Sequence, residues 1–300
     1  MEFLTNYHLY KKIQVMKSIL TFMFSIISLL SFSQEDYNTL MMKCTYKLSG
    51  ESFIKTRNVY GTCFIVGEPV PNKQDLFYPI LITAKHVLDD ISGDSITIYT
   101  RSKQKDIYTP LPLKIRIRDG KNALYTSHPS QDVAAIPIML PNNLDIKFIP
   151  TNLLADDSTI IKNKVTPGMK INCLGFPLVQ NSNSTDFPIL RSGYIASYPL
   201  VPTDKFPTFL YDVTVFKGNS GGPVYYAYIN ELFVKGTYIT FDKWVMKDSF
   251  YILGLISAER ISEKKLESSY ESIVIDTQLY IAVVIHSRYI KETIKLLNLK

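Results

Sequence analysis

The 300-residue sequence has no Cys-x-x-Cys pair and no cluster of histidines, so a metal site has no support, and no other cofactor is implied. It has only three cysteines, Cys44, Cys63 and Cys173. An odd number leaves at least one thiol unpaired within a monomer, even where disulfides are permitted. Internal repeats and low-complexity tracts are also missing. Charged residues make up only 20% of the chain against 46% hydrophobic, which is a globular balance rather than a disordered one. Glycine is modest at 13, while tyrosine (20) and phenylalanine (16) are frequent, which favours strands over long helices. The net charge of +6 is mild and spread along the chain, so solubility is expected from it and nucleic-acid binding is not.

Long hydrophobic runs are scarce too. The run Ser18–Phe32 has 15 residues, short of the roughly 20 that span a bilayer. Lys11, Lys12 and Lys17 precede it, and Ser31-Phe32-Ser33 ends it as a small-x-small cleavage site. Residues 1–33 therefore read as a signal peptide, with Met16 a second start for it. An uncleaved anchor is the other reading. The nearest following cysteine, Cys44, is too far along for a lipid-modified N-terminus. The expectation is an exported protein, periplasmic or secreted, with no stable membrane insertion after cleavage.

What is present from about residue 41 is a series of short strands. Leu113, Ile115 and Ile117 alternate with Lys114, Arg116 and Arg118, the pattern of a half-buried strand. Ser95–Thr100 alternates likewise. Further strands are expected at 57–67, 77–84, 132–139, 169–175, 191–199, 208–215, 223–229, 232–241, 250–257 and 272–285. Strands this short and numerous indicate an all-β barrel or sandwich. Pro141-Asn142-Asn143, Pro150 and Ala155–Ser158 break the pattern, so about 141–166 reads as a linker between a first half (about 41–140) and a second (about 167–285). Ile290, Ile294 and Leu297 recur at helical spacing, giving a C-terminal amphipathic helix at about 287–298, packed on the second half.

Three local patterns carry chemistry. In Leu81-Ile-Thr-Ala-Lys-His86 a strand delivers a histidine at its tip. In Gln131-Asp132-Val-Ala-Ala-Ile136 an acid sits at the mouth of an apolar strand. In Lys217-Gly-Asn-Ser220-Gly-Gly-Pro-Val224 a serine is flanked by glycines. A serine hydroxyl needs a base to take its proton, and a histidine titrates near neutrality. The histidine in turn needs a carboxylate to fix its tautomer. Glycines free the backbone to present N–H donors to an oxyanion, here those of Gly218 and Ser220.

These motifs resemble the trypsin-like (chymotrypsin-fold) serine peptidases, and most nearly their bacterial HtrA/Deg-type branch, over roughly residues 50–295. Gly61–Val66 resembles the family's second strand, with Cys63 where glycine is usual. Thr83-Ala84-Lys85-His86, Asp132-Val-Ala-Ala and Gly218-Asn219-Ser220-Gly221-Gly222-Pro223 resemble its three motifs, and Ile281–Ser287 the strand entering its last helix. The resemblance implies one peptidase domain over 34–300, built of two six-stranded antiparallel β-barrels with a short C-terminal helix. It implies a serine endopeptidase that forms an acyl-enzyme, with His86, Asp132 and Ser220 as triad and a protein or peptide as substrate. Thr214 would lie at the base of the S1 pocket, with Lys217, Gly254, Ser257 and Glu259 also contacting substrate. Ser257 would sit near Asp132, and Glu259 either narrows the pocket, attracts a basic residue or is a solvated loop charge. A small or moderate apolar P1 is expected. Asn219 replaces the acid of digestive members, and no activation-cleavage motif is visible, so a zymogen switch of that kind is not expected. No PDZ module appears in the 300 residues, so a chaperone-protease role is not carried over.

Other readings stand beside it. Gly218-x-Ser220-x-Gly222, followed by Asp276 and His286, has the residue order of an α/β-hydrolase. That elbow requires a helix after the serine, whereas Val224-Tyr225-Tyr226 reads as a strand. Cys173 is a remote alternative nucleophile. The remaining alternative is a catalytically inactive binding protein on a protease fold. Oligomeric state is not legible.

Overall fold

The computed structural model describes residues 36–54, 57–73, 76–104, 107–141, 146–177, 185–233, 245–267 and 272–299. The chain divides into two units, Met1–Asp36 and Tyr37–Lys300. The expected signal segment lies outside the described residues, and the described strands and helices belong to the second unit. Among the described residues no helix is long and apolar enough to cross a membrane.

The N-terminal half begins with helix α1 (Tyr37–Cys44) and strands β1 (Thr45–Glu51), β2 (Asn58–Pro69) and β3 (Phe77–Thr83). A short helix α2 (Lys85–Asp89) follows, then β4 (Ser95–Gln104) and β5 (Ile107–Arg116). Short strands β6 (Arg118–Asp119), β7 (Asn122–Ala123), β8 (Thr126–Ser127), β9 (Ala134–Pro137) and β10 (Ile149–Pro150) complete it. Eight strands form one sheet in the order β5-β4-β1-β2-β3-β9-β8, with β10 running parallel to β2. The sheet has eight strands where six were expected because β8 and β10 have two residues each, too few to leave a pattern in sequence. Strand β2 is buried continuously from Gly61 to Gly67, as suits a strand paired on both sides and covered on both faces. Strand β5 carries Pro110 and Pro112, which lack an N–H and are tolerated because β5 is the sheet's edge.

The C-terminal half is a closed six-stranded barrel, in the order β11-β12-β13-β16-β15-β14. Its strands are β11 (Lys170–Gly175), β12 (Ile189–Ile195), β13 (Thr208–Asp212), β14 (Pro223–Phe233), β15 (Val245–Glu267) and β16 (Ser272–His286). Helix α3 (Asp157–Lys162), inside the stretch read as a linker, starts at Asp156, whose carboxylate accepts the Thr159 N–H. Helix α4 (Ser287–Lys295) closes the chain.

Side-chain alternation sorts neighbours between two cores. On β11, Cys173 joins Ile171, Tyr211, Val224 and Val284 inside the barrel. Leu174 points the other way, into a core shared with Phe64, Leu81 and Ile136 of the N-terminal sheet. Tyr225, Ile252, Leu255 and Ile285 enter that shared core from the barrel's outer face. At about 1.5–3 kcal/mol per fully buried large side chain, this dry seam is what joins the halves. Helix α4 adds Tyr289, Ile290 and Ile294 to it, so the helix packs against both halves rather than on the second alone. Cys44, Cys63 and Cys173 are all buried and free of disulfides.

Candidate active site

The seam brings together residues from both halves. His86 stands in the first turn of α2, directly after β3. Asp132 precedes β9, the strand paired with β3, with Thr83 opposite Ala134. This pairing brings the carboxylate to the histidine. The His86 Nδ1 lies 2.6 Å from Asp132 Oδ2, and the His86 backbone N–H donates to Asp132 Oδ1 at 2.8 Å. The Ser257 hydroxyl, from β15 of the barrel, donates to Asp132 Oδ2 at 2.6 Å. Burial pulls the imidazole pKa down, but the Asp132 hydrogen bond and charge, helped by Asp90 and Asp89, more than offset it, and the net shift is upward from 6.5. Burial likewise opposes the Asp132 charge, yet the donors His86 and Ser257 hold its pKa below the usual carboxylate value.

Ser220 sits on the segment between β13 and β14. The Asn219 N–H donates to the Phe216 carbonyl at 3.0 Å, closing a turn in which Gly218 has φ +99°. A positive φ at this third position is the type II arrangement, open to glycine and strained for other residues. It fixes the direction of the peptide whose N–H belongs to Gly218. Among the described residues the N–H groups of Gly218 and Ser220 donate to no backbone carbonyl, whereas Gly221 N–H donates to Ile256 at 2.7 Å and Gly222 N–H to Asn219 at 2.9 Å. Two free donors close together beside a serine are what an oxyanion requires. Gly221 has φ +84°, and a Cβ there would fall on the Thr62 carbonyl and the Thr83 hydroxyl. The nucleophile loop thus lies directly against the strand end that delivers His86.

Thr62 on β2 is the residue that sequence reasoning missed. Its N–H donates to the Ser220 carbonyl at 2.9 Å and its hydroxyl to the Gly218 carbonyl at 2.7 Å, while its hydroxyl oxygen accepts the Phe176 N–H at 3.1 Å. It sits between Gly61 and Cys63 in an ordinary strand pattern, so nothing local marks it. The Ser220 hydroxyl donates to the Ser257 carbonyl at 3.4 Å and makes no hydrogen bond to His86 in this state. In substrate-free enzymes a serine–histidine bond of this kind is often long and tightens on binding. Ser257 therefore links the three residues, with its hydroxyl on Asp132 and its carbonyl on Ser220.

The remaining expected positions lie on the segment before Ser220 and on β15. Thr214 is half-buried and Lys217 exposed, both on the segment leading to Ser220. Gly254 is buried on β15 opposite Val224 and His286. Glu259 pairs with Ala282, but its side chain lies outside the described residues. The α/β-hydrolase alternative fails on geometry. Asp276 and His286 are ten residues apart on the single strand β16, a separation of about 30 Å, and Ser220 leads into strand β14 rather than a helix. Burial pushes the Cys173 thiol up to about 12, which leaves it no nucleophilic thiolate at neutral pH. Among the described residues no group of His, Cys, Asp and Glu is arranged to hold a metal.

No protein-family model matches the chain, and no curated protein matches it by sequence. Many solved structures are similar to it, three proteases among them. The Rv3671c protease of M. tuberculosis, in its active form, has 15% identity and a TM-score of 0.45, with 87% of this chain and 83% of that chain covered. The protease Anisep of Arthrobacter nicotinovorans has 14% identity and a TM-score of 0.46, covering 85% and 95%. The thermostable serine protease AL20 of an extremophilic microorganism has 9% identity and a TM-score of 0.43, covering 85% and 96%. All three are proteases by name, and nothing in these likenesses singles out the HtrA/Deg branch. At such scores the chemistry must be read from the site itself.

Proposed function

We propose that the protein is a serine endopeptidase of the trypsin-like class, acting on protein or peptide substrates by acyl transfer. Ser220 attacks the peptide carbonyl while His86 Nε2 takes its proton. Asp132 holds the Nδ1–H tautomer and stabilises the imidazolium. The N–H groups of Gly218 and Ser220 receive the oxyanion. His86 then gives its proton to the leaving amine, and water hydrolyses the ester by the reverse route. The observation that carries this reading is the chain of contacts His86–Asp132–Ser257–Ser220, assembled from both halves around a glycine turn with two unengaged N–H groups. We also propose export through the segment 1–33, which N-terminal sequencing of the protein recovered outside the cytoplasm would test.

The direct test is fluorophosphonate labelling of the purified protein, mapped by peptide mass. Labelling at Ser220 that disappears in Ser220→Ala supports an activated nucleophile. A folded wild-type protein that never labels overturns the reading in favour of an inactive binding protein.

A further inference from the structure

Among the described residues, Arg191 on β12 is a cation with no counter-charge. Its backbone partner is Cys173 across β11, so its side chain leaves the strand on the barrel-interior face. Its guanidinium lies over the Phe216 ring, 5.0 Å from the centroid. Its Nε is buried with no hydrogen-bond partner among the described residues, and no carboxylate of theirs lies within 4.0 Å of it. A buried, unmade N–H on a charged group is unfavourable, and a guanidinium is shaped to grip a carboxylate with two parallel hydrogen bonds.

Where Arg191 sits gives this unmet donor a meaning. Phe216 is built into the oxyanion turn, since its carbonyl accepts the Asn219 N–H. Along 213–216 burial alternates. Val213 and Val215 are buried in the barrel core, while Thr214 and Phe216 are half-buried. The ring under Arg191 is thus two residues from Thr214, on the segment that runs up to Ser220. Lys217, next in sequence, is exposed and has no carboxylate partner among the described residues. Arg191, half-buried over Phe216, and the exposed Lys217 thus put two cations at the segment that leads to Ser220.

We propose that Arg191 determines specificity, holding the carboxylate of an aspartate or glutamate immediately N-terminal to the cleaved bond, with Lys217 adding attraction at the rim. This rests on the peptidase reading above and replaces the small or apolar P1 expected from sequence. Arg191 touches substrate and takes no part in proton transfer.

The test uses quenched-fluorescence peptides of one sequence carrying Glu, Asp, Gln or Leu at P1, with wild type, Arg191→Met and Arg191→Lys. Methionine keeps the unbranched stem over Phe216 and removes the charge. Wild type is expected to prefer Glu over Gln by at least about tenfold in kcat/KM. Arg191→Met should bring Glu down to the Gln value and leave Gln and Leu within about threefold of wild type, with Arg191→Lys in between. Equal cleavage of Glu and Gln by wild type overturns the proposal while leaving the peptidase reading intact. So does a uniform loss in Arg191→Met, which marks a packing role. If no peptide is cleaved but Ser220 labels with fluorophosphonate, protection by product peptides ending in Glu or Gln decides the same question. Absence of both cleavage and labelling overturns the peptidase reading, and this proposal with it.

Discussion

In the N-terminal sheet the functional groups are held by side chains. Asp132 receives the backbone and ring of His86, and each group favours the charged form of the other. In the C-terminal barrel the functional groups are held by backbone. Ser220 stands on a turn fixed by two positive-φ glycines and by carbonyls engaged with Thr62. The candidate catalytic groups of the first half are therefore sensitive to pH and charge, and those of the second to sterics. The two halves also treat their histidines oppositely. His86 is raised above 6.5 by its carboxylate, whereas burial, with neither ring nitrogen hydrogen-bonded among the described residues, lowers His286 to about 4.

The sharpest break in this contrast is Asp132→Asn. It should lower kcat/KM by about 10⁴-fold, because the amide no longer selects the Nδ1–H tautomer. It should also move the acid limb of the pH–rate profile downward. In wild type the base must be neutral, so activity falls as pH drops through the raised His86 pKa. The stability linked to His86 runs the other way. It is present below about 6.5 and lost as pH rises through the raised folded value. An unchanged acid limb in the variant would remove His86 from the role of base.

In the barrel, Gly221→Ala should cost about 3 kcal/mol of transition-state stabilisation, while the His86–Asp132 pair keeps its titration. A Cβ there meets the Thr62 carbonyl and the Thr83 hydroxyl at a φ of +84°, so the loop must shift. Imidazole NMR checks the titration and peptide hydrolysis the rate. Wild-type activity in this variant would show that the loop's geometry is not what it supplies.

His286 gives a stability prediction of similar size. Its folded pKa lies below the unfolded 6.5, with Asp157 the nearby charge favouring protonation. The stability is present above about 6.5 and lost as pH falls toward 4, by about 3 kcal/mol in all. His286→Leu should flatten that loss, read by urea unfolding at pH 7 and pH 4.5. Equal losses in both proteins would exclude His286 as the source. The smallest effect is expected for Ser257→Ala. It removes one charge-assisted hydrogen bond from Asp132 and should lower kcat/KM about tenfold, with a modest rise in the Asp132 pKa.

The same contrast explains what could be read from sequence. Side-chain chemistry and strand alternation leave local traces, so the strands around His86, Asp132 and Ser220 were legible to within a few residues. For example, 77–84 was expected and Phe77–Thr83 observed, as was 272–285 against Ser272–His286. The glycine string was legible because positive φ restricts the choice of residue. Thr62 and Arg191 were not, because their roles come from neighbours more than 20 residues away in sequence, and a threonine or an arginine in a strand carries no mark of that. Helices α1 and α3 were missed because eight and six residues are too few to establish a period among strands.

The position of Ser257 and Ile256 has a consequence in time. A chain emerging from the ribosome has all three candidate catalytic residues once Ser220 is made. It still lacks the hydroxyl that completes the Asp132 shell and the carbonyl that anchors Gly221, both of which come from β15. The barrel that seats β15 closes only through β16, which is made later still. A chain halted between Ser220 and β15 would therefore carry the candidate triad without the contacts that order it.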